Sequence, residues 1–294
     1  MTDIAILTPD PADQSYRDLW QKVLARLQDA LSSQGIVAVP TPWTAHVDAA
    51  DGLRRFARVL PLLVWGYHCD HARWLRACAT WRQAGIPMSN PADVLAWNSD
   101  KRYLLELAAR GVAVPPTVLM SEVTGAQLRR VFAETGADEL IVKPTVSGGA
   151  WRTRRVHRDA ALDEVPAGDA HGGDMLVQPY LPTIASEGET SLLFFGGTLS
   201  HVVNKRPPAG EFRVQEQFGG VYTSLPAPPA GALALAERTL AAIDAPLLYA
   251  RIDTVPDAEG NWLLMEAELI EPDFYLGADP RRGEGFAAAL QGLL

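Results

Sequence analysis

Cysteine is nearly absent: Cys69 and Cys78 are the only two in 294 residues. Two thiols make no disulfide framework, so the chain must rely on a buried core, and a reducing cytoplasm is the expected setting. No uninterrupted apolar run is long enough to span a bilayer, and no signal-peptide pattern opens the chain, so no membrane partner is expected. Internal repeats are not evident. The P-loop pattern GxxxxGK[ST] and the Rossmann pattern GxGxxG are both missing, which removes the two commonest nucleotide motifs. Positive charge is in deficit, with 26 Lys and Arg against 35 Asp and Glu and a net charge of -9. That balance argues against nucleic acid as a partner. Arg152, Arg154, Arg155 and Arg158 also lack interleaved aromatics, so they read as a solvated strand face, with Arg152 placed nearest the glycine turn that precedes it. His68-Cys69-Asp70-His71 has no second Cys/His cluster to complete a tetrahedral zinc set. It reads instead as a helix start, with Asp70 as the cap and Trp74, Leu75 and Cys78 on the buried face.

With 48% hydrophobic residues, the chain has core enough for two or three domains. Ile4 to Thr8, Ile36 to Val39 and Leu62 to Trp65 read as strands, and Ser15 to Ser33 as a helix. Strands alternating with helices imply a small parallel α/β domain, whose ligands belong beyond the strand carboxyl ends. Asp10, Trp43, Tyr67 and His68 are the candidate pocket residues there.

The densest chemistry lies in Leu247 to Pro272. Leu248, Ala250, Ile252 and Thr254 alternate with Tyr249, Arg251 and Asp253, and turn residues follow at Asp257 to Asn261. In the returning strand, Leu263, Met265 and Ala267 alternate with Leu264, Glu266 and Glu268. A four-residue loop, Ala258 to Asn261, sets Asp257 against Trp262, Asp253 against Glu266 and Arg251 against Glu268. Facing carboxylates in apolar strands need a cation or solvent, and magnesium, which prefers hard oxygen ligands, would serve.

Between these regions, Ser99 is the expected cap of a helix closed by Gly111, which places Lys101 in its first turn, where a bound anion would make sense of the charge. Lys143 ends an apolar strand before Pro144. Ser147-Gly148-Gly149-Ala150 then forms a glycine turn able to bring backbone N–H groups to phosphate. Met175 to Gln178 is a strand ending in Pro179-Tyr180-Leu181, and Glu189 opens another. Lys205-Arg206 closes a third, and Glu211 to Gln215 resumes it after a Pro/Gly loop.

In this order, a lysine at a helix start, VKP before a glycine loop, QPYL, E-T-S, K-R then EFR, and RID with MEAE resemble the ATP-grasp superfamily over nearly the whole chain. Within it the chain is similar to glutathione-synthetase-like and ribosomal-protein-S6-modifying ligases, and especially to the cyclo-ligases of D-cycloserine biosynthesis, through WNSDKRYLLELAARGVAVPPT and LLMEAELIEPDFYL. The resemblance implies an ATP-grasp fold, α+β in the ATP-binding part, with an N-terminal parallel α/β domain over 1-97, a central subdomain over 98-184 and a C-terminal subdomain over 185-294. It implies ATP and Mg2+ as cofactors. Lys101 and Lys143 would contact the phosphates, Ser147, Gly148 and Gly149 would close over them, and Gln178, Pro179, Tyr180 and Leu181 would present the hinge to adenine. Glu189 would hold the ribose, Lys205 and Arg213 the γ-phosphate or acyl phosphate, and Asp253, Glu266 and Glu268 the metal, while Arg251 would stabilise the anionic intermediate. Many relatives have Asn in place of Glu268 and a Ser-Pro-Gly-like turn in place of Glu271-Pro272-Asp273. The acidic pair Glu271 and Asp273 would suit an ammonium group on a small amino-acid-like substrate. The implied activity is ATP-dependent activation of a carboxylate for amide formation, most sharply an O-ureido-serine cyclo-ligase. The alternatives are an intermolecular carboxylate–amine ligase and a non-catalytic ATP-binding regulator. A homodimer is compatible with the resemblance.

Overall fold

The structure, a computed structural model, describes residues 2–13, 15–16, 18–165 and 173–294. β1 (Thr2–Thr8) and β2 (Ile36–Pro42) pair in parallel, connected through α1 (Leu19–Ser32), and β3 (Val59–Leu60) adds to the other side of β1. Leu24, Leu27 and Leu31 form the buried stripe of α1 at helical spacing. The third strand is not Leu62 to Trp65. Pro61 has no N–H to carry a ladder onward, so pairing stops at Leu60 while Leu62, Leu63 and Val64 stay buried in turns. α2 (His71–Gln83) is capped as expected, the Asp70 carboxylate accepting from the Arg73 N–H at 3.1 Å. Its buried face runs through Trp74, Ala77, Cys78 and Trp81, and Leu75, one position out of phase, is exposed.

A separate short helix, α3 (Ala92–Asn98), comes first, and the helix expected from Ser99 begins only at Tyr103, as α4 (Tyr103–Ala109). Ser99 closes α3, its hydroxyl donating to the Ala96 carbonyl at 2.7 Å, so it caps no N-terminus. Lys101 therefore lies in the turn between helices, its N–H donating to the Thr145 carbonyl at 2.7 Å. β4 (Val118–Met120), β5 (Glu139–Pro144), β6 (Arg154–His157) and β7 (Met175–Pro179) form an antiparallel sheet in the order β4-β7-β5-β6. It is backed by α5 (Gly125–Thr135), which opens with a capping box between Thr124 and Gln127. The arginine run is not one solvated face. Arg152 sits in a turn over the Trp151 ring, and neighbours on a strand point to opposite sides, so Arg155 is free to reach Glu139 (3.3 Å) and lie over Tyr180 (5.2 Å).

After the one-turn α6 (Thr183–Ser186) come β8 (Glu189–Phe195), β9 (Thr198–Arg206) and β10 (Val221–Leu225), then α7 (Ala230–Ile243), β11 (Tyr249–Pro256), β12 (Trp262–Glu268) and α8 (Glu284–Gln291). The strands form an antiparallel sheet ordered β10-β9-β8-β11-β12. Glu211 to Gln215 is no strand. The Glu211 carboxylate takes the N–H groups of Phe212 and Arg213 and the Arg213 guanidinium, and such local bonds compete with a ladder. The pairing with β9 is made by β10 instead.

One sheet lies in each of the spans 1–97, 98–184 and 185–294, but packing crosses their limits. Tyr103, Leu104 and Leu107 of α4 share a core with Leu192, Phe194, Val202, Ile252 and α7. Phe286 and Leu290 of α8 join Ile4, Ile6 and α1. Because side chains alternate along a strand, burying Leu192, Val202 and Ile252 against α7 turns Ser191, Lys205, Arg251 and Asp253 to the opposite face. Among the described residues, no helix is long and apolar enough to cross a membrane.

Candidate active site

β11 and β12 pair as the sequence predicts at the residues that matter, Arg251 with Glu268 and Asp253 with Glu266, but the turn differs. Pro256, not Asp257, faces Trp262, and a five-residue turn is closed by the Asp257 N–H on the Asn261 carbonyl at 2.8 Å. The Asp257 carboxylate accepts from the Asn261 N–H at 2.8 Å, which makes this longer turn self-contained. A bulge between Asp253 and Thr254 absorbs the one-residue difference. It also breaks the expected alternation: Leu264 and Ala267 both enter the α7 core, whereas Met265 packs with Val255, Tyr180 and Ile184.

Asp253 is the centre of the cluster. It accepts from the Ser191 hydroxyl at 2.6 Å, from Arg251 Nη2 at 3.0 Å and from Lys205 Nζ at 3.2 Å. Burial alone would raise its pKa, but the Arg251 and Lys205 charges hold it at about 2. Lys205 also meets Glu189 at 2.5 Å. Burial opposes its charge, yet Asp253 and Glu189 keep its pKa above the ordinary lysine range. Arg251 bridges Asp253 and Glu268, lies under the Tyr275 ring at 5.2 Å and donates to the Asp273 carbonyl at 3.4 Å.

Glu266 pairs with Lys101 at 2.8 Å; burial would raise its pKa, and the Lys101 and Lys143 charges lower it instead. Burial pushes Lys143 down to about 8 against the pull of Glu266. Glu268 is raised to about 7, burial and the like charges of Glu266 and Asp253 outweighing Arg251. Burial and Glu268 raise Glu271 to about 8. Four cations, Lys101, Lys143, Lys205 and Arg251, thus stand among the five carboxylates Glu189, Asp253, Glu266, Glu268 and Glu271.

Lys101 Nζ also donates to the Ser147 carbonyl at 2.9 Å and so anchors the glycine turn. Ser147 is buried, its hydroxyl on the Pro144 carbonyl at 3.3 Å, and Gly149 and Ala150 take left-handed φ of 57° and 59°. A Cβ on Gly148 would stand 3.2 Å from the His68 ring, so this turn and the first domain meet there. The Gln178 side chain donates to the Thr117 hydroxyl at 2.8 Å, and the Tyr180 N–H to the Glu139 carbonyl at 2.9 Å. Tyr180 and Leu181 continue into the apolar patch of Ile184, Val214, Val255 and Met265.

Other candidates are dispersed. Arg213 is met by Glu211 at 2.7 Å and lies 3.6 Å over the Phe218 ring, apart from the carboxylates of the hairpin. Asp10 faces Arg73 at 3.6 Å. The Asp273 carboxylate accepts the Tyr275 N–H at 2.8 Å within its own turn. Trp43 is buried edge-on to Trp74 at 5.7 Å. Tyr67 is buried against Trp74 at 5.0 Å, and burial, followed by the charges of Glu271, Glu266 and Glu268, lifts its phenol pKa.

Sequence reasoning missed the residues that fasten this hairpin. Buried Asn90 donates to the Tyr249 and Leu269 carbonyls at 2.9 Å and accepts from the Leu248 N–H at 2.8 Å. Asn98 brackets Ala267 and Leu269 in the same way, and the Tyr103 hydroxyl accepts the Ala267 N–H at 2.9 Å. Asn98, closing the largely apolar α3, was the available signal, and Asn90 before that helix gave none. Among the described residues no three carboxylate, imidazole or thiol groups are gathered closely enough to hold a metal by themselves. Asp253, Glu266 and Glu268 nevertheless supply the hard oxygens magnesium prefers, and an ion that keeps water and phosphate in its shell needs only some of them. The donor set fits magnesium.

No family model matches the chain. It is 31% identical over 278 residues to the cycloserine biosynthesis protein DcsG of Streptomyces lavendulae, covering 90% of this chain and 91% of that protein. The crystal structure of D-cycloserine synthetase DcsG matches with a TM-score of 0.81 and 28% identity, over 99% of this chain and 100% of that one. D-alanine–D-alanine ligase from Bacillus anthracis matches with a TM-score of 0.72 and 14% identity, over 100% and 99% of the two chains. The ATP-grasp ligase PsnB, complexed with a minimal precursor, matches with a TM-score of 0.66 and 16% identity over 100% of both. With this fold and this relative, the chain belongs to the ATP-grasp ligases, enzymes that form carbon–nitrogen bonds.

Proposed function

We propose that this ATP-dependent ligase activates the carboxylate of a small amino-acid-like substrate as an acyl phosphate, and that its substrate is O-ureido-serine, cyclised to D-cycloserine. The observation that carries the reading is the buried array of Lys205, Arg251 and Asp253, with Lys101 and Glu266 beside it. The 31% identity to a protein of cycloserine biosynthesis supports that substrate.

A carboxylate is a poor electrophile until phosphorylated. Positioning and charge neutralisation suffice for phosphoryl transfer, so no nucleophilic side chain is required. Lys101 and Lys143 hold the phosphates of ATP under the turn at Ser147 to Gly149, and the hinge from Gln178 to Leu181 and the patch around Met265 receive adenine. Glu189 takes the ribose. Asp253, Glu266 and Glu268 hold magnesium, which neutralises charge on the phosphates when bound. Lys205 faces the transferring group, and Arg251 the oxyanion that forms when nitrogen attacks. Arg213 takes the γ-phosphate with Lys205, in competition with its pairing to Glu211. In cyclisation the nitrogen bonded to the side-chain oxygen attacks the acyl carbon of its own molecule. Phosphate leaves, the ring closes, and the carbamoyl group is lost to water. An attacking group already in the molecule avoids much of the entropic cost of joining two reactants.

The experiment is ADP release by the purified protein with ATP and magnesium, across amino acids that include O-ureido-serine, with products weighed by mass spectrometry. ADP and cycloserine from O-ureido-serine alone is the expected result. A coupled product of the two summed masses less one water would replace cyclisation by intermolecular ligation. ATP binding without ADP from any substrate would move the protein to the regulatory class.

A further inference from the structure

We propose that Tyr275 is a positioning residue that roofs the Arg251–Lys205 pair and keeps water from the acyl phosphate, so that each ATP consumed yields one amide. The inference rests on the acyl-phosphate reading above. The Tyr275 ring lies 5.2 Å from the Arg251 guanidinium and 5.9 Å from the Lys205 ammonium, above the two cations assigned to the oxyanion and the transferring phosphoryl group. The Tyr222 ring of the edge strand β10 also meets it at 5.1 Å, nearly perpendicular. The ring therefore packs against both the cation pair and the rim of the sheet.

Its backbone is held there against preference. Tyr275 has a φ of 48°, a left-handed conformation that a bulky residue keeps only when its surroundings enforce it. Both sides of the turn supply the enforcement. Phe274 is buried against Phe195, Tyr249 and Phe286, and its carbonyl accepts from His201 Nε2 at 2.8 Å. The Asp273 carboxylate caps the Tyr275 N–H, and the Tyr275 carbonyl accepts the Ala278 N–H at 2.7 Å. A glycine would adopt this geometry freely, so the ring is what the position gains.

Two nucleophiles compete for an acyl phosphate. Nitrogen attack forms the C–N bond, breaks the bond from the acyl carbon to the phosphate oxygen, and sends the N–H proton to phosphate. Water attack breaks the same bond, returns the original carboxylate with phosphate and a proton, and amounts to ATP hydrolysis. An apolar face over the cations excludes water without offering a competing nucleophile.

The test is the ratio of ADP to amide for the wild type, Tyr275→Phe, Tyr275→Leu and Tyr275→Ala, with ATP affinity measured in parallel. The expected result is a ratio near one for the wild type and Tyr275→Phe, and a several-fold higher ratio for Tyr275→Ala at similar ATP affinity. Tyr275→Leu, whose shorter side chain leaves part of the cation pair uncovered, serves if Tyr275→Ala does not fold, and its ratio should also rise. A ratio of one in the alanine or leucine variant, with only a slower rate, overturns the roofing role. So does equal uncoupling by Tyr275→Phe. Absence of amide from the wild type with every substrate would instead sink the acyl-phosphate reading, and the roofing role with it.

Discussion

Asp253 and Glu266 are direct partners across β11 and β12, yet their carboxylates are neutralised by different cations, Asp253 by Arg251 and Lys205 and Glu266 by Lys101. Like charges facing each other on a sheet would destabilise it, and this division of counterions relieves them. Lys101 meets one oxygen of Glu266, so the other would be open to a metal ion.

Glu266→Gln should abolish magnesium-dependent ADP release and lower the melting midpoint less than Asp253→Asn does, because its side chain is 33% exposed and pairs directly with Lys101 alone. Asp253→Asn should also abolish turnover but lose about 3 kcal/mol of stability, since it leaves buried Arg251 and Lys205 underpaired. Magnesium-dependent turnover at the wild-type rate in either variant would remove that residue from the metal site.

Lys143, with its pKa lowered to about 8, should make ATP binding sensitive to pH. Below pH 8 the free protein already carries the ammonium that phosphate prefers. Above it, binding must also recruit a proton, so affinity falls as pH rises, by at most about tenfold per unit. Calorimetry from pH 7 to 9.5 checks this. Lys143→Arg, charged throughout, should flatten the dependence, and an equally steep one would place the titration elsewhere.

Gly148→Ala should weaken ATP binding several-fold by pushing the turn off the His68 ring, which lies 3.2 Å from the new methyl. Combining it with His68→Ala should restore much of the loss, a coupling that a double-mutant cycle measures directly. Simple addition of the two effects would mean that the turn closes without this contact.

Asn90→Ala should cost about 3 kcal/mol in chemical denaturation, because it strands the Tyr249 and Leu269 carbonyls and the Leu248 N–H inside the protein. Activity lost from the remaining folded fraction would show that this asparagine also sets the hairpin's position. Unchanged stability would mean that water replaces the amide.

The hairpin was legible because its period-two pattern and its acids are local, and the pairing of Asp253 with Glu266 came out right although the turn did not. Two one-residue differences, the longer turn and the bulge near Met265, compensate each other. Neither follows from strand periodicity. The helix start at Ser99 failed for another reason: Ser99 is a good cap by type, but α3 already occupies the preceding residues, and a helix-closing hydroxyl looks the same in sequence as an opening one. The extended segment at Arg213 failed because Glu211, two residues away, satisfies both its backbone and its charge.

Sequence alone determined the first two strands and the helix between them, and the hairpin pairing of Arg251 with Glu268 and Asp253 with Glu266. These depend on side-chain period and residue type, which are properties of short segments. Tertiary structure alone decided which cation meets which carboxylate, that Asn90 and Asn98 pin the hairpin from far away in the chain, and that Tyr275 lies over Arg251. The asparagine contacts join elements more than 150 residues apart, the Tyr275 contact depends on one left-handed turn, and a low-dielectric interior assigns charge partners by distance in space.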